Sequence, residues 1–383
     1  MDNNLKKIFY WSPCLTKVGT VISAKNSAIS LAMYKKSDYE VSIINACGEW
    51  DEYLDELTNN GVKIINLSKS YFKYLPKEGY VSSRFSYIVI FLISFFPLLF
   101  KLKEKKPDYI IMHLITSLPM LLLLLFKFKT KFILRISGLP KLNFSRKYFW
   151  FLTKKKLHKI TCPTNELKFK LNKIKIFEDE KIFYLPDAIL NLKNFKKSQE
   201  DLTKLYQIKN KIILSAGRLT KQKNFTYLIN EFSSFLNNFN NYDLVILGEG
   251  EERKKLIELI NKNNIKDRVH LLGRVSNIYD YMRKAEVFVL SSLWEELGFV
   301  IVEAAFNNLF VISSNCPNGP SDFINKNECG ILFDNNSKDS LKKALIKFEN
   351  NNPKENMQKK INAKKKSKIY TKFRHHLELI NLF

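Results

Sequence analysis

The chain has 383 residues, 45% of them hydrophobic, with 63 Lys and Arg against 37 Asp and Glu. That length exceeds one ordinary domain and the apolar share suits a globular protein, so two domains with separate cores are expected and a disordered or collagen-like chain is excluded. The cysteines (Cys14, Cys47, Cys162, Cys316, Cys329) form no C-x-x-C pair, which excludes a zinc ribbon or disulfide scaffold and fits a reducing cytoplasm.

In chain order, residues 6–13 read as a short strand entering a loop, 23–36 as a helix and 39–47 as a strand. Residues 51–61 read as a helix closed by Gly61, and 62–67 as a strand. The N-terminus shows no signal-peptide pattern. Residues 87–100 are too short for an ordinary membrane span and contain Pro97, so a core or interfacial helix within 84–105 is expected, with peripheral association rather than spanning. Residues 109–126 are interrupted by His113 and Pro119, which divides them into a buried strand, a turn and a core helix. Residues 131–137 add a strand, and the polar segment 191–210 reads as a linker.

A second alternating series follows: strand 211–217, helix 224–236, strand 242–250, helix 251–264, strand 269–273 and helix 278–285. Strands 286–292 and 309–314 flank helix 299–307. Such alternation predicts an α/β protein with two Rossmann-like doubly wound domains, 1–190 and 211–350, facing each other across a cleft. Ligands would bind beyond the carboxyl ends of the strands, so the loops after Ser12, Ala216, Leu272, Ser292 and Ser314 should line that cleft. The tail 351–383 is expected to be helical. Net charge is uneven: +15 over 1–190, +4 over 191–350 and +7 over 351–383. The excess in the first half and tail points to a polyanionic partner, a membrane surface or nucleic acid, although a Lys-rich proteome would also raise it.

Arg218 and Lys223 follow strand 211–217 just before a helix, where two cations and free N–H groups can hold a diphosphate and stabilise its departing charge. The same residues also read as a solvated basic turn. In SSLWEELGFVIVEAA (291–305), Glu295 and Glu303 stand eight positions apart around Gly298 and Phe299. Carboxylates there can accept hydrogen bonds from sugar or ribose hydroxyls, and glycine admits close backbone approach. Singly, each acid also reads as a helix-end or surface carboxylate, as does Glu296. No Asp-x-Asp follows an apolar strand, and no P-loop, H-E-x-x-H or nucleophile elbow occurs, so no metal or cofactor is expected.

The order GRLTKQKNF, LVILGEGEERKKL, VHLLGRVSNIYDYM, VFVLSSLWEELGFVIVEAA and VISSNCPNGPSDFI resembles the retaining GT-B glycosyltransferases of family 4, densely over 210–335 and thinly before it. The resemblance implies sugar transfer from a nucleoside diphosphate to a hydroxyl, with retention of configuration. It implies Arg218 and Lys223 on the donor diphosphate, Glu295 by the donor sugar and Glu303 on the nucleotide ribose. Glu296 stands where the family has glycine, and Asn308 and Phe310 replace a glycine and a proline. The loop SPCLTKVGT resembles the family's glycine loop through Gly19. His113 falls where related enzymes carry a catalytic-cleft histidine, and it reads equally as a half-buried strand-end residue. A second histidine of the family is absent; Arg135, Ser137 and Gly138 stand there. The C-terminal segment of GT-B enzymes commonly returns to the first domain, which would join the two basic regions. The expected enzyme is therefore peripheral on the cytoplasmic face of the inner membrane, with a lipid-linked glycan or polysaccharide acceptor and no nucleic acid partner. A sugar-nucleotide epimerase of the same fold is the alternative, and a basic nucleic-acid-binding protein the rival from another class.

Overall fold

A computed structural model describes residues 5–15, 19–34, 38–77, 80–190 and 207–383. They form two compact units, one of residues 1–189 with 372–383 and one of residues 190–371.

In the first unit, strands β1 (Lys6–Trp11), β2 (Tyr39–Asn45), β3 (Lys63–Asn66), β4 (Tyr109–Met112), β5 (Lys131–Arg135), β6 (Lys159–Cys162) and β7 (Ile182–Tyr184) form a parallel sheet in the order β3-β2-β1-β4-β5-β6-β7. Between them run α1 (Gly19–Tyr34), α2 (Leu54–Asn59), α3 (Tyr80–Lys105), α4 (Ser117–Leu125), α5 (Phe144–Thr153) and α6 (Asn165–Ile174). Side chains alternate across a strand, and both faces of this sheet are covered. Phe9, Trp11, Met112 and Leu134 pack with Ile90, Leu98 and Leu102 of α3. Ile8, Tyr10, Ile111 and Ile133 pack on the other side with Val21, Ala24 and Ala28 of α1. Burial on both faces explains why these strands are nearly continuous apolar runs.

The second unit repeats the pattern. β8 (Lys211–Ala216), α7 (Phe225–Leu236), β9 (Tyr242–Leu247), α8 (Arg253–Lys262), β10 (Val269–Gly273), α9 (Ile278–Lys284), β11 (Val287–Leu290), α10 (Phe299–Phe306), β12 (Phe310–Ser314), α11 (Gly319–Ile324), β13 (Ile331–Phe333), α12 (Ser340–Asn350) and α13 (Pro353–Ser367) follow in chain order. The sheet order is β10-β9-β8-β11-β12-β13, all parallel. Both units thus share the doubly wound order, whose strand sequence reverses between β1 and β4 and between β8 and β11. Crevices at the carboxyl ends of such switch points are where open α/β sheets bind ligands.

The apolar run 87–100 lies inside one continuous helix, α3, as expected over 84–105, and that helix passes through Pro97. It is the helix long and apolar enough to cross a membrane among the described residues, and one third of that window is buried. Packing of Ile90, Leu98 and Leu102 on the sheet holds the helix across the proline, a tertiary override of local propensity. The tail expected as one piece is divided. α13 belongs to the second unit, where Lys359 Nζ donates to Asn327 O at 2.6 Å and Lys366 Nζ to Asp322 O at 2.5 Å. Only α14 (Lys372–Ile380) and the last residues join the first unit, burying Leu379 and Leu382 against the α1 face of the sheet. The lysines of 351–368 are therefore on the second unit rather than extending the basic first one. Most of the expected linker, 191–206, lies outside the described residues.

Candidate active site

The loops after β8 and β11 meet at the switch point of the second sheet. Ser215 Oγ of β8 donates to Val289 O of β11 at 2.6 Å, locking the two central strands together. Beyond the strand end Gly217 lies against Lys223: a Cβ at Gly217 would stand 3.0 Å from Lys223 Cε, so glycine lets the lysine stem fold back over the sheet. The Lys223 ammonium is ion-paired with Glu295, and both side chains are largely buried. Ser292 Oγ donates to the same Glu295 Oε1 at 2.7 Å. The backbone is stitched too, with Ser291 Oγ donating to Lys223 O at 2.8 Å and Leu293 N to Gln222 O at 2.8 Å. From the β12 side, Asn318 Nδ2 donates to Glu295 O at 3.0 Å and Gly319 N to Glu296 O at 2.8 Å.

This scaffold separates the two adjacent acids. Glu295 turns inward to Lys223, while Glu296 is exposed. Arg218 is exposed, and among the described residues its guanidinium has no carboxylate partner. Gly298 takes a left-handed conformation (φ 76°) immediately before α10, which a residue with a Cβ adopts only with strain. Phe299 opens α10, and the first N–H groups of that helix have no intrahelical acceptor.

Glu303 lies in the second turn of α10 rather than at its start, so the helix end does not account for it. It is half-buried; burial pushes its carboxyl up to about 7, opposed by the Tyr279 hydroxyl, which donates to Oε1 at 3.3 Å. Tyr279 and Asn318 went unnoticed in sequence because tyrosine and asparagine are common at helix starts, and only the folded chain brings Tyr279 to the Glu303 carboxyl and Asn318 to the Glu295 carbonyl.

The other expected residues belong to the first unit. Gly19 is the exposed first residue of α1, and residues 16–18 of its loop lie outside the described ones. His113 directly follows β4, again at a switch point, and its amide donates to Trp11 O at 2.9 Å. Its ring is buried, and burial, with the nearby Arg135 and His375 charges, lowers its pKa well below the ordinary histidine value. Neutral at pH 7, it can exchange hydrogen bonds but carries no charge. Behind it stands a buried polar network. Arg135 donates to Leu185 O at 2.8 Å and pairs with Asp187, which also accepts from Ser23. His375 Nδ1 donates to Pro186 O at 2.5 Å, which leaves Nε2 to accept from Ser27 Oγ at 2.7 Å.

The first unit also carries an unusual surface. Phe85, Ile88, Leu92, Phe96 and Phe100 of α3 are each more than half exposed, at spacings that align them along one helix face. Phe144, Tyr148 and Phe151 of α5 are exposed as well.

Comparison with known proteins bears directly on this geometry. Residues 190–366 match the family model of glycosyl transferases group 1. The chain is 34% identical over 252 residues to the uncharacterized glycosyltransferase MJ1059 of Methanocaldococcus jannaschii, covering 58% of this chain and 59% of that one. It is 28% identical over 365 residues to a Campylobacter jejuni α-1,4-N-acetyl-D-galactosaminyltransferase named for a diphospho-undecaprenol-linked substrate, covering 93% of this chain and 95% of that one. Of several other curated relatives it spans 42–60% of the length. Its fold is similar to Anabaena HepE in complex with UDP, with a TM-score of 0.74, 14% identity, and coverage of 98% of this chain and 99% of that one. The fold is therefore of the GT-B type, and within it residues 190–366 are the part of the chain that matches the glycosyl transferases group 1.

Proposed function

We infer that this chain transfers a sugar from a nucleoside diphosphate to a hydroxyl of a lipid-linked glycan or polysaccharide precursor, with retention at the anomeric carbon and without a metal. The observation that carries this reading is the buried Lys223–Glu295 pair beside the exposed Arg218 at the β8/β11 switch point. When the C1–O bond to the donor diphosphate breaks, negative charge grows on the departing phosphate oxygen. Arg218 can grip it bidentately, and Lys223 adds a second cation already oriented by Glu295. Glu295 would accept hydrogen bonds from donor-sugar hydroxyls and Glu303 from the ribose. The acceptor oxygen bonds to C1 and passes its proton to the departing phosphate, so no protein nucleophile is required. His113 would contribute a neutral hydrogen-bonding group, and Gly19 a close backbone approach.

A lipid-linked acceptor is supported by the name of the Campylobacter jejuni relative, and a uridine donor by the UDP held by HepE. The exposed apolar stripe of α3 supports peripheral binding to the cytoplasmic face of an anionic membrane. The matches are to glycosyltransferases and do not favour an epimerase or a nucleic-acid-binding protein. Purified enzyme should release UDP from a UDP-sugar only when a lipid-linked acceptor is added, and EDTA should leave the rate unchanged. Arg218→Ala and Glu295→Gln should each lower kcat/KM by about 10²–10³. Full activity in both variants, or an absolute need for divalent metal, would overturn the assignment.

A further inference from the structure

Between α3, α4 and α5 the first unit holds an open groove of about 560 Å³, a volume typical of ligand sites. Its polar and apolar lining are ordered along the helices. Thr116, Ser117, Ser145 and Arg146 come from the starts of α4 and α5, at the carboxyl edge of the sheet. One turn further along the same helices the lining becomes Met120, Leu121 and Phe149, with Phe91 of α3 facing them. The groove therefore has a polar mouth at the strand ends and an apolar depth running away from them.

Two further observations fit an amphiphilic occupant. Ile115 lines the mouth with φ 45°, a strained conformation for a β-branched residue, two positions after His113. The mouth thus lies on the same β4 loop as the candidate catalytic histidine. Charge is also one-sided: from Tyr109 to Asn165 the chain has eleven Lys and Arg and no Asp or Glu. An aliphatic chain carrying phosphate matches both halves of this groove, the apolar depth and the polar mouth, where Arg146 is the cation among the lining residues.

We propose that this groove binds the lipid part of the acceptor, with its first aliphatic segment between Phe91, Leu121 and Phe149 and its phosphate or diphosphate on Arg146. The proposal rests on the glycosyltransferase reading above and names the acceptor class. A polyprenyl phosphate and a diacyl lipid phosphate share the required chemistry. The test uses the full chain and a photoreactive farnesyl diphosphate, with labelled peptides located by mass spectrometry. Labelling is expected in the peptides carrying 115–121 and 143–150. Arg146 is exposed, so Arg146→Glu should fold; it should lower labelling by about tenfold or more, as loss of a charge-assisted contact implies. Leu121→Glu, checked for an unchanged melting curve, should do the same. Displacement by decaprenyl phosphate or by dioleoylphosphatidate identifies the lipid source. Labelling elsewhere, labelling indifferent to both variants, or displacement by inorganic phosphate alone overturns the proposal. The UDP-induced thermal shift of the same samples reads the donor site independently: its loss with groove labelling intact would sink the donor reading, not the groove.

Discussion

At the residue scale, Glu303 is the most informative side chain. In the unfolded chain its carboxyl ionises near 4.5, whereas burial holds the folded one up to about 7. Ionising it therefore destabilises the fold, a penalty that is fully present above pH 7 and vanishes below pH 4.5. Retaining so awkward an acid makes sense if a ligand completes its hydrogen bonds. On the proposed role, a ribose hydroxyl would donate to the carboxylate, so binding should weaken as the group protonates. UDP affinity is expected to fall about tenfold between pH 8 and pH 6, and Glu303→Gln should flatten that slope while raising stability at pH 8. Calorimetric titration at both pH values checks this; an unchanged slope in the variant would remove Glu303 from the ribose site. Glu295 differs. Its carboxylate already has Lys223 and Ser292 as partners, so the structure explains which of two adjacent acids turns inward, a choice the sequence leaves to spacing.

At the element scale, α3 is the element on which the proposed membrane binding rests. One face, through Ile90, Leu98 and Leu102, belongs to the core; the opposite face presents Leu92 and Phe96 to solvent. On the proposal of peripheral binding, a helix built into a domain along one side would lie in an interface rather than cross it. Leu92→Glu combined with Phe96→Glu should lower recovery with floated anionic vesicles by about tenfold, since each removes a large apolar side chain from the interface. Exposed positions should leave the unfolding free energy within about 0.5 kcal/mol. Undiminished flotation would show that another surface makes the contact.

At the scale of the whole molecule, the C-terminal segment closes the first unit across nearly the full chain length. His375 reaches Ser27 and Pro186, and Leu379 and Leu382 complete the core around α1. Burial lowers the His375 pKa to about 4, below the unfolded value of 6.5. The unfolded chain thus binds its proton first, and the stability His375 supplies is full above pH 6.5 and lost as pH falls toward 4. The loss should reach the order of 2–3 kcal/mol. Urea unfolding at pH 7 and pH 5 should show it, and His375→Gln should reduce the difference without abolishing it, because His113 titrates in the same direction. An undiminished difference in the variant would assign the effect elsewhere. By itself the sequence determined the alternation of strands and helices, the two-domain α/β class and the residues around Arg218 and Glu303, because apolar periodicity and short-range spacing are local signals. The tertiary structure decided what depends on distant packing: the tail divided between two units, Lys223 brought onto Glu295, and Tyr279 and His375 brought to groups far away in the chain.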